Sequence, residues 1–393
     1  MKWESEKHIE NNKYDIPGNW LHIEYFEALN LLFRIENSLR VFVYIILKNE
    51  FKEKWTNLSI TSDDEEKSTI GAIAKRRLSQ DNNYAYLGYS INSPLLHLTS
   101  GELIRIITSD SYWKYFKKYF LGTKEIIKNK LDEIGNIRNS LAHFRPIKKG
   151  DVDLIKQNAN HTLGQVEKTL ADYILCPDTV PTNTNEDWYK ELKPLSNNEC
   201  SINFKQSKNE NWIKMHIEFQ CPIIERKKLL ESFVYIKTFN IKTANLLSNY
   251  QNLTTNTISI TENASNIFTQ NVDNLKITKS LKFTFSKKTI ETNFQDIKND
   301  IESIFLKITE ELDLISQDNL ARGTILEVIA LSFRKKENSK YFGTDNKNFI
   351  TETENTPPEF WGKLDHTDVN FVSNSEFYPW IPVSISDDKD SLF

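Results

Sequence analysis

Apolar residues recur with two different periods along the chain, and the change falls near residue 176. Over residues 20–50 they return every three to four positions: Leu29, Leu32, Leu39, Val43 and Ile46, with Phe33, Phe42 and Leu47 widening the stripe. That period predicts one long amphipathic helix. The polar tract TSDDEEKST follows, where Ser62 or Asp63 suits the cap of a second helix running to about Asp81. NNYAYLGYSINSP reads as a loop, with turn formers set among aromatics. Ser100 opens a third helix with Glu102 in its first turn, continuing through YWKYFKKYF to Gly122. Thr123–His143 carries Ile126, Ile127, Leu131, Ile134, Ile137 and Leu141 along one side, and Pro146 closes it. Asp151 opens a last helix through Leu154, Ile155, Leu163, Val166, Leu170 and Ile174. The sum is a five-helix, up-and-down bundle.

After the Pro-, Thr- and Asn-rich stretch CPDTVPTNTNEDW, the period drops to two. WIKMHIEF alternates strictly, and FVYIKTFNI, NTISI and SLKFTFS also suit strands. Phe294, Ile297, Ile301, Ile304, Ile308, Leu312 and Ile315 mark one strong helix among them. GTILEVIALSF fits a strand or a buried helix equally. The expected layout is an N-terminal all-α domain (1–176), an α+β domain with short antiparallel strands (177–334), and an irregular segment (335–393) ordered in pieces around Trp361 and Trp380.

Composition narrows the function classes. The longest clean apolar run, Val41–Leu47, is too short to span a bilayer, and the first dozen residues lack a secretory apolar core. With three cysteines and no C-x-x-C pair, neither a disulfide scaffold nor a cysteine zinc site is expected. These features predict a cytoplasmic protein that needs no metal or other cofactor. Net charge is −4, which argues against bulk coating of nucleic acid. Residues 1–175 nevertheless carry 25 Lys+Arg against 23 Asp+Glu, so any nucleic-acid contact belongs to a local patch in that half.

One segment there carries candidate chemistry: I-R-N-S-L-A-H, residues 137–143. Arg138 and His143 are separated by four residues, Asn139 follows the arginine, and the string ends a predicted helix. It resembles the Arg-x4–6-His motif of the HEPN superfamily, over residues 20–175 only. The polar residue after the arginine and the late position in a helical bundle belong to that resemblance. It implies a metal-independent endoribonuclease, in antiviral defence, abortive infection or a toxin–antitoxin pair, acting as a homodimer that joins two motifs. An antitoxin or other regulatory partner, and tRNA, mRNA or phage RNA as target, go with it. The other reading is a HEPN-like module that binds RNA or a protein without cutting.

The residue chemistry suits metal-free RNA cleavage by the 2′-OH. Histidine titrates near neutral pH and serves as general base or acid, here His143. Arginine is a fixed cation for the phosphorane, here Arg138, while Asn139 orients imidazole or phosphate. The bland alternative is a helix-terminal histidine beside a surface arginine. Glu36 falls on the apolar register of the first helix, where a bare carboxylate is costly. It either lies beside the Arg138/His143 cleft and orients one of them, or pairs with Arg40, at i+4, for the fold alone. Arg145 is a second candidate phosphate ligand or a loop charge. Lys114, Lys117 and Lys118 sit among six aromatics, as an RNA-stacking strip or as a solvated rim on a core.

Overall fold

The computed structural model describes residues 8–10, 13–15, 23–60, 68–82, 94–176, 184–230, 233–264, 275–317, 323–335, 342–344, 357 and 359–363. A small antiparallel hairpin, β1 (His8–Glu10) with β2 (Lys13–Asp15), precedes the helices. The helical region consists of α1 (Ile23–Phe51), α2 (Ile70–Asn82), α3 (Ser100–Thr108), α4 (Trp113–Phe116), α5 (Lys124–Ala142) and α6 (Lys149–Leu175). Five of these match the periodic segments. The proposed cap at Ser62 or Asp63 and the aromatic loop at 83–93 lie outside the described residues.

Local chemistry sets several of the ends. α3 starts at Ser100, as expected, and Thr99 caps it: its Oγ1 accepts the Glu102 N–H, and the Glu102 carboxylate accepts the Thr99 N–H at 2.7 Å. Thr123 caps α5, its Oγ1 accepting the Ile126 N–H. α3 stops at Thr108, so YWKYFKKYF does not continue it. That segment is one α-turn followed by a 3-10 turn, a break that lets Phe116 and Phe120 turn inward onto Phe42. Leu29 departs from the apolar register and is 47% exposed, because Ala28 and Leu32 meet Ile134, Ile137 and Leu141 of α5 instead.

Past α6 come α7 (Asp187–Leu192), β3 (Cys200–Gln206), β4 (Trp212–Cys221), β5 (Ile223–Leu230), β6 (Phe233–Ile241), α8 (Thr243–Asn249), α9 (Gln251–Asn256), β7 (Ser259–Ala264), β8 (Ile277–Ser286), α10 (Lys287–Ser316), β9 (Leu326–Lys335), β10 (Phe342–Thr344) and β11 (Phe360–Lys363). Two sheets result, ordered β10-β9-β6-β5 and β11-β7-β8-β4-β3. All pairings are antiparallel except β11 with β7. The strict alternation of β4 sends Ile213, Met215, Ile217 and Phe219 into the core, where α10 contributes Ile297, Ile301, Ile304 and Ile308. The ambiguous GTILEVIALSF is a strand. Several strands reach ten residues, longer than the short strands expected.

The two halves share a core. Trp212 and Ile258 of the sheet region are buried among the helical residues, with Trp212 edge-on to Tyr173 at 5.1 Å between ring centres. Tyr44 Oη donates to the Ile258 carbonyl at 2.5 Å. Lys48 of α1 makes a buried ion pair with Glu359, beside β11. Lys214 donates to the Ile174 carbonyl at the end of α6. Most of the core still divides near residue 176: one cluster draws only on residues after it, and the helical cluster takes in Trp212 and Ile258 from across it.

Candidate functional site

Glu36 is the hub of the helical region. It sits midway along α1, where α3 and α5 cross it. Its Oε1 accepts Arg40 Nη2, and its Oε2 accepts Ser100 Oγ and, at 3.1 Å, Arg138 Nε. Glu36 and Arg40 are each 13% exposed, and the Arg138 side chain 36%. Burial pushes the Glu36 carboxyl up, but the Arg40 charge, the Ser100 hydroxyl and the Arg138 charge together hold it below the ordinary carboxylate value. An ionised, ion-paired carboxylate of this kind positions cations; it does not exchange protons near neutral pH.

The two arginines are used differently. Arg40 is saturated: Nε donates to the Leu95 carbonyl (3.2 Å), Nη2 also to the Leu98 carbonyl (3.0 Å), and Nη1 to Asn37 Oδ1 (2.9 Å). It ties α1 to the turn before α3 and keeps little capacity for a ligand. Arg138 makes one bond, through Nε. Its two terminal nitrogens have no protein partner among the described residues, and the side chain is partly exposed. Both sequence readings of Glu36 therefore describe real contacts: it pairs with Arg40 and it holds Arg138. The pocket beneath the carboxylate, lined by Leu32, Leu39, Leu103, Ile104, Leu131 and Ile134, has a volume of about 20 Å³. That is room for about one water molecule and not for a base.

His143 is the C-cap of α5, exposed, with its N–H donating to the Asn139 carbonyl at 3.2 Å. Five residues at about 100° each place two side chains of an ideal helix about 140° apart around its axis. Arg138 faces Glu36, and His143 leaves α5 from another side at its terminus. Asn139 is exposed, and its side chain makes no hydrogen bond among the described residues. The chain ends the helix in a complete Schellman turn: Arg145 N–H reaches the Ser140 carbonyl (2.9 Å), and Phe144 N–H the Leu141 carbonyl (3.0 Å). Tyr25 Oη donates to the same Leu141 carbonyl at 3.0 Å, fastening the first turn of α1 against this end of α5.

Other sequence candidates fall elsewhere. Phe116 and Phe120 are core residues; Lys114, Lys117 and Lys118 are exposed, with Lys114 over the Tyr115 ring (4.8 Å) and Lys118 over Tyr119 (4.9 Å). The lysines thus border a buried aromatic cluster, and none bonds Arg138 among the described residues. Arg145 is exposed, and its side chain has no partner among the described residues. Arg77 makes a two-pronged pair with Glu102 (2.7 and 2.8 Å) and serves the fold. His161 is exposed on α6. His216 is on β4, opposite Lys282, and burial with the charges of Lys282, Lys205 and Lys214 drops it to about 3. Among the described residues no group of His, Cys, Asp and Glu side chains is arranged to hold a metal ion, and no helix is long and apolar enough to cross a membrane.

Sequence reasoning missed two residues of this region. Ser100 was legible only as a helix start, because its bond to Glu36 spans 64 positions. Phe144 stood between His143 and Arg145 in plain view, but its exposure depends on how the turn closes. When the chain is compared with models of protein families, with curated proteins and with solved structures, nothing matches.

Proposed function

We propose that this chain is a metal-independent endoribonuclease of the HEPN type, working in the cytoplasm in antiviral defence or a toxin–antitoxin pair. The observation that carries the reading is the state of Arg138: its guanidinium is anchored by Glu36 through Nε, its terminal nitrogens have no partner among the described residues, and the side chain is partly exposed. A fixed, always-charged fork with free donors suits a phosphate whose charge rises in the transition state. His143, exposed on the same helix, takes the proton of the RNA 2′-OH or delivers one to the leaving oxygen. The 2′-oxygen attacks the adjacent phosphorus, the P–O5′ bond breaks, and the products are a 2′,3′-cyclic phosphate and a 5′-OH. Glu36 and Arg40 are positioning residues.

One histidine supplies one proton transfer at a time, and the angular separation of Arg138 and His143 on α5 favours a site completed by a second copy of the chain. The same open guanidinium also suits a module that binds RNA without cutting it. Expression of wild type and His143→Ala in bacteria, with sequencing of 5′-OH RNA ends, separates these. New ends in wild type alone establish cleavage and name the target. Identical profiles for both proteins and an empty vector, with phage infection as well as without, reject it. Mixed dimers with one His143→Ala protomer are expected to lose most activity; retention of half rejects the composite site.

A further inference from the structure

We propose that Phe144 forms a nucleobase-binding subsite beside His143, stacking on an unpaired base of single-stranded RNA; this rests on the RNA reading above. Phe144 occupies the C′ position of the Schellman turn with φ +54°. Glycine suits that backbone, because a β-carbon in the left-handed region crowds the neighbouring carbonyl. Burial does not compensate: the side chain is 86% exposed, more than any other large hydrophobic among the described residues. Neither local preference nor packing explains a phenylalanine here. Its surroundings point to a ligand. An exposed histidine precedes it, and an exposed arginine without a side-chain partner among the described residues follows it. An aromatic face between two groups able to meet phosphates matches the alternation of base and phosphate along a single strand. The aromatics of 112–120 do not offer such a face, since they pack into the core or lie under their own lysines.

The test uses the full chain and a short fluorescent 2′-O-methyl oligonucleotide, which lacks the attacking hydroxyl, as a single strand and as a duplex at fixed salt. Phe144→Gly removes the ring and suits the turn; Phe144→Leu keeps apolar bulk without an aromatic face; Phe144→Trp keeps the stack. Gly and Leu are expected to weaken single-strand binding about 10-fold, a typical loss for one stacked base. Trp is expected to retain binding, duplex binding to stay unchanged, and the melting temperature of Phe144→Gly to match or exceed wild type. Wild-type affinity in Phe144→Gly or Phe144→Leu overturns the subsite. So does a loss that accompanies a change of oligomeric state in light scattering, which would make Phe144 a protein contact. If Phe144→Gly cleaves RNA with unchanged KM, the subsite fails and the ribonuclease stands. If Phe144→Gly and Phe144→Leu weaken strand binding but wild type never cleaves RNA, the subsite stands and the ribonuclease fails. If wild type does not bind the strand, both fail.

Discussion

Replacing Glu36 with glutamine is expected to lower both stability and cleavage, because its carboxylate both pairs with Arg40 and holds Arg138. The substitution keeps the shape and one acceptor oxygen but removes the charge on which Arg40, Arg138 and Ser100 converge. Arg40 decides the magnitude. It is 13% exposed and stays behind as a cation without its counter-ion. Removing one partner of a buried pair costs about 3–5 kcal/mol. Arg40 retains the Leu95 and Leu98 carbonyls and Asn37, which offset part of this and put the expected loss at about 2–3 kcal/mol. Arg138, more exposed, contributes less than about 1 kcal/mol. In urea or guanidinium titration the midpoint falls and the slope stays constant. A double-mutant cycle with Arg40→Met is expected to show stronger coupling than one with Arg138→Met. The sign of the pH effect follows from the lowered carboxyl: its stabilisation is complete above the ordinary carboxylate value and lost as pH falls through the folded one. Glu36→Gln loses that share of the acid limb. A midpoint shift worth less than about 0.5 kcal/mol, or equal coupling to both arginines, would refute Glu36 as the hub.

Three further outcomes are expected. His143→Ala should abolish cleavage and, because the residue is exposed, leave stability within about 0.5 kcal/mol of wild type; a large thermal shift would assign His143 to the fold. His216 stays neutral when folded down to about 3 and protonates near 6.5 when unfolded, so the unfolded chain alone takes up the proton between those values. Stability should fall with pH in that window by up to about 1.4 kcal/mol per unit, and His216→Gln should lose this share; superimposable acid limbs would refute it. A chain truncated after Cys176 loses Trp212 and Ile258 from the helical core and leaves Lys48 without Glu359. It should be poorly folded by near-UV circular dichroism, with partial recovery in Lys48→Met; a native-like spectrum in the unmodified truncation would show that the shared core is dispensable.

Much of the architecture is local and therefore readable from spacing. α5 begins at a threonine cap and ends at His143, as its apolar register and Pro146 indicate. The alternation of β4 and the three-to-four spacing of α10 each name their buried faces because side-chain direction repeats with backbone geometry. The register of Leu29 fails because a stripe on one helix does not say where its neighbours end. The aromatic segment 112–120 reads equally as platform or core, since composition does not record which faces are covered.

The Arg-x4-His spacing and the odd carboxylate at position 36 were both visible in the sequence, and they identify the candidate chemistry. Their joining is tertiary: the Arg138–Glu36 bond closes a separation of 102 residues. Only the fold decides that Arg40 is spent on the carbonyls of residues 95 and 98 while two nitrogens of Arg138 have no partner among the described residues. Only the fold turns Phe144 outward and sinks Trp212 into the other half's core. Sequence period encodes which face of an element is apolar. Which elements meet, and which charges are left unpaired when they do, depends on burial and hydrogen bonding summed over the whole chain.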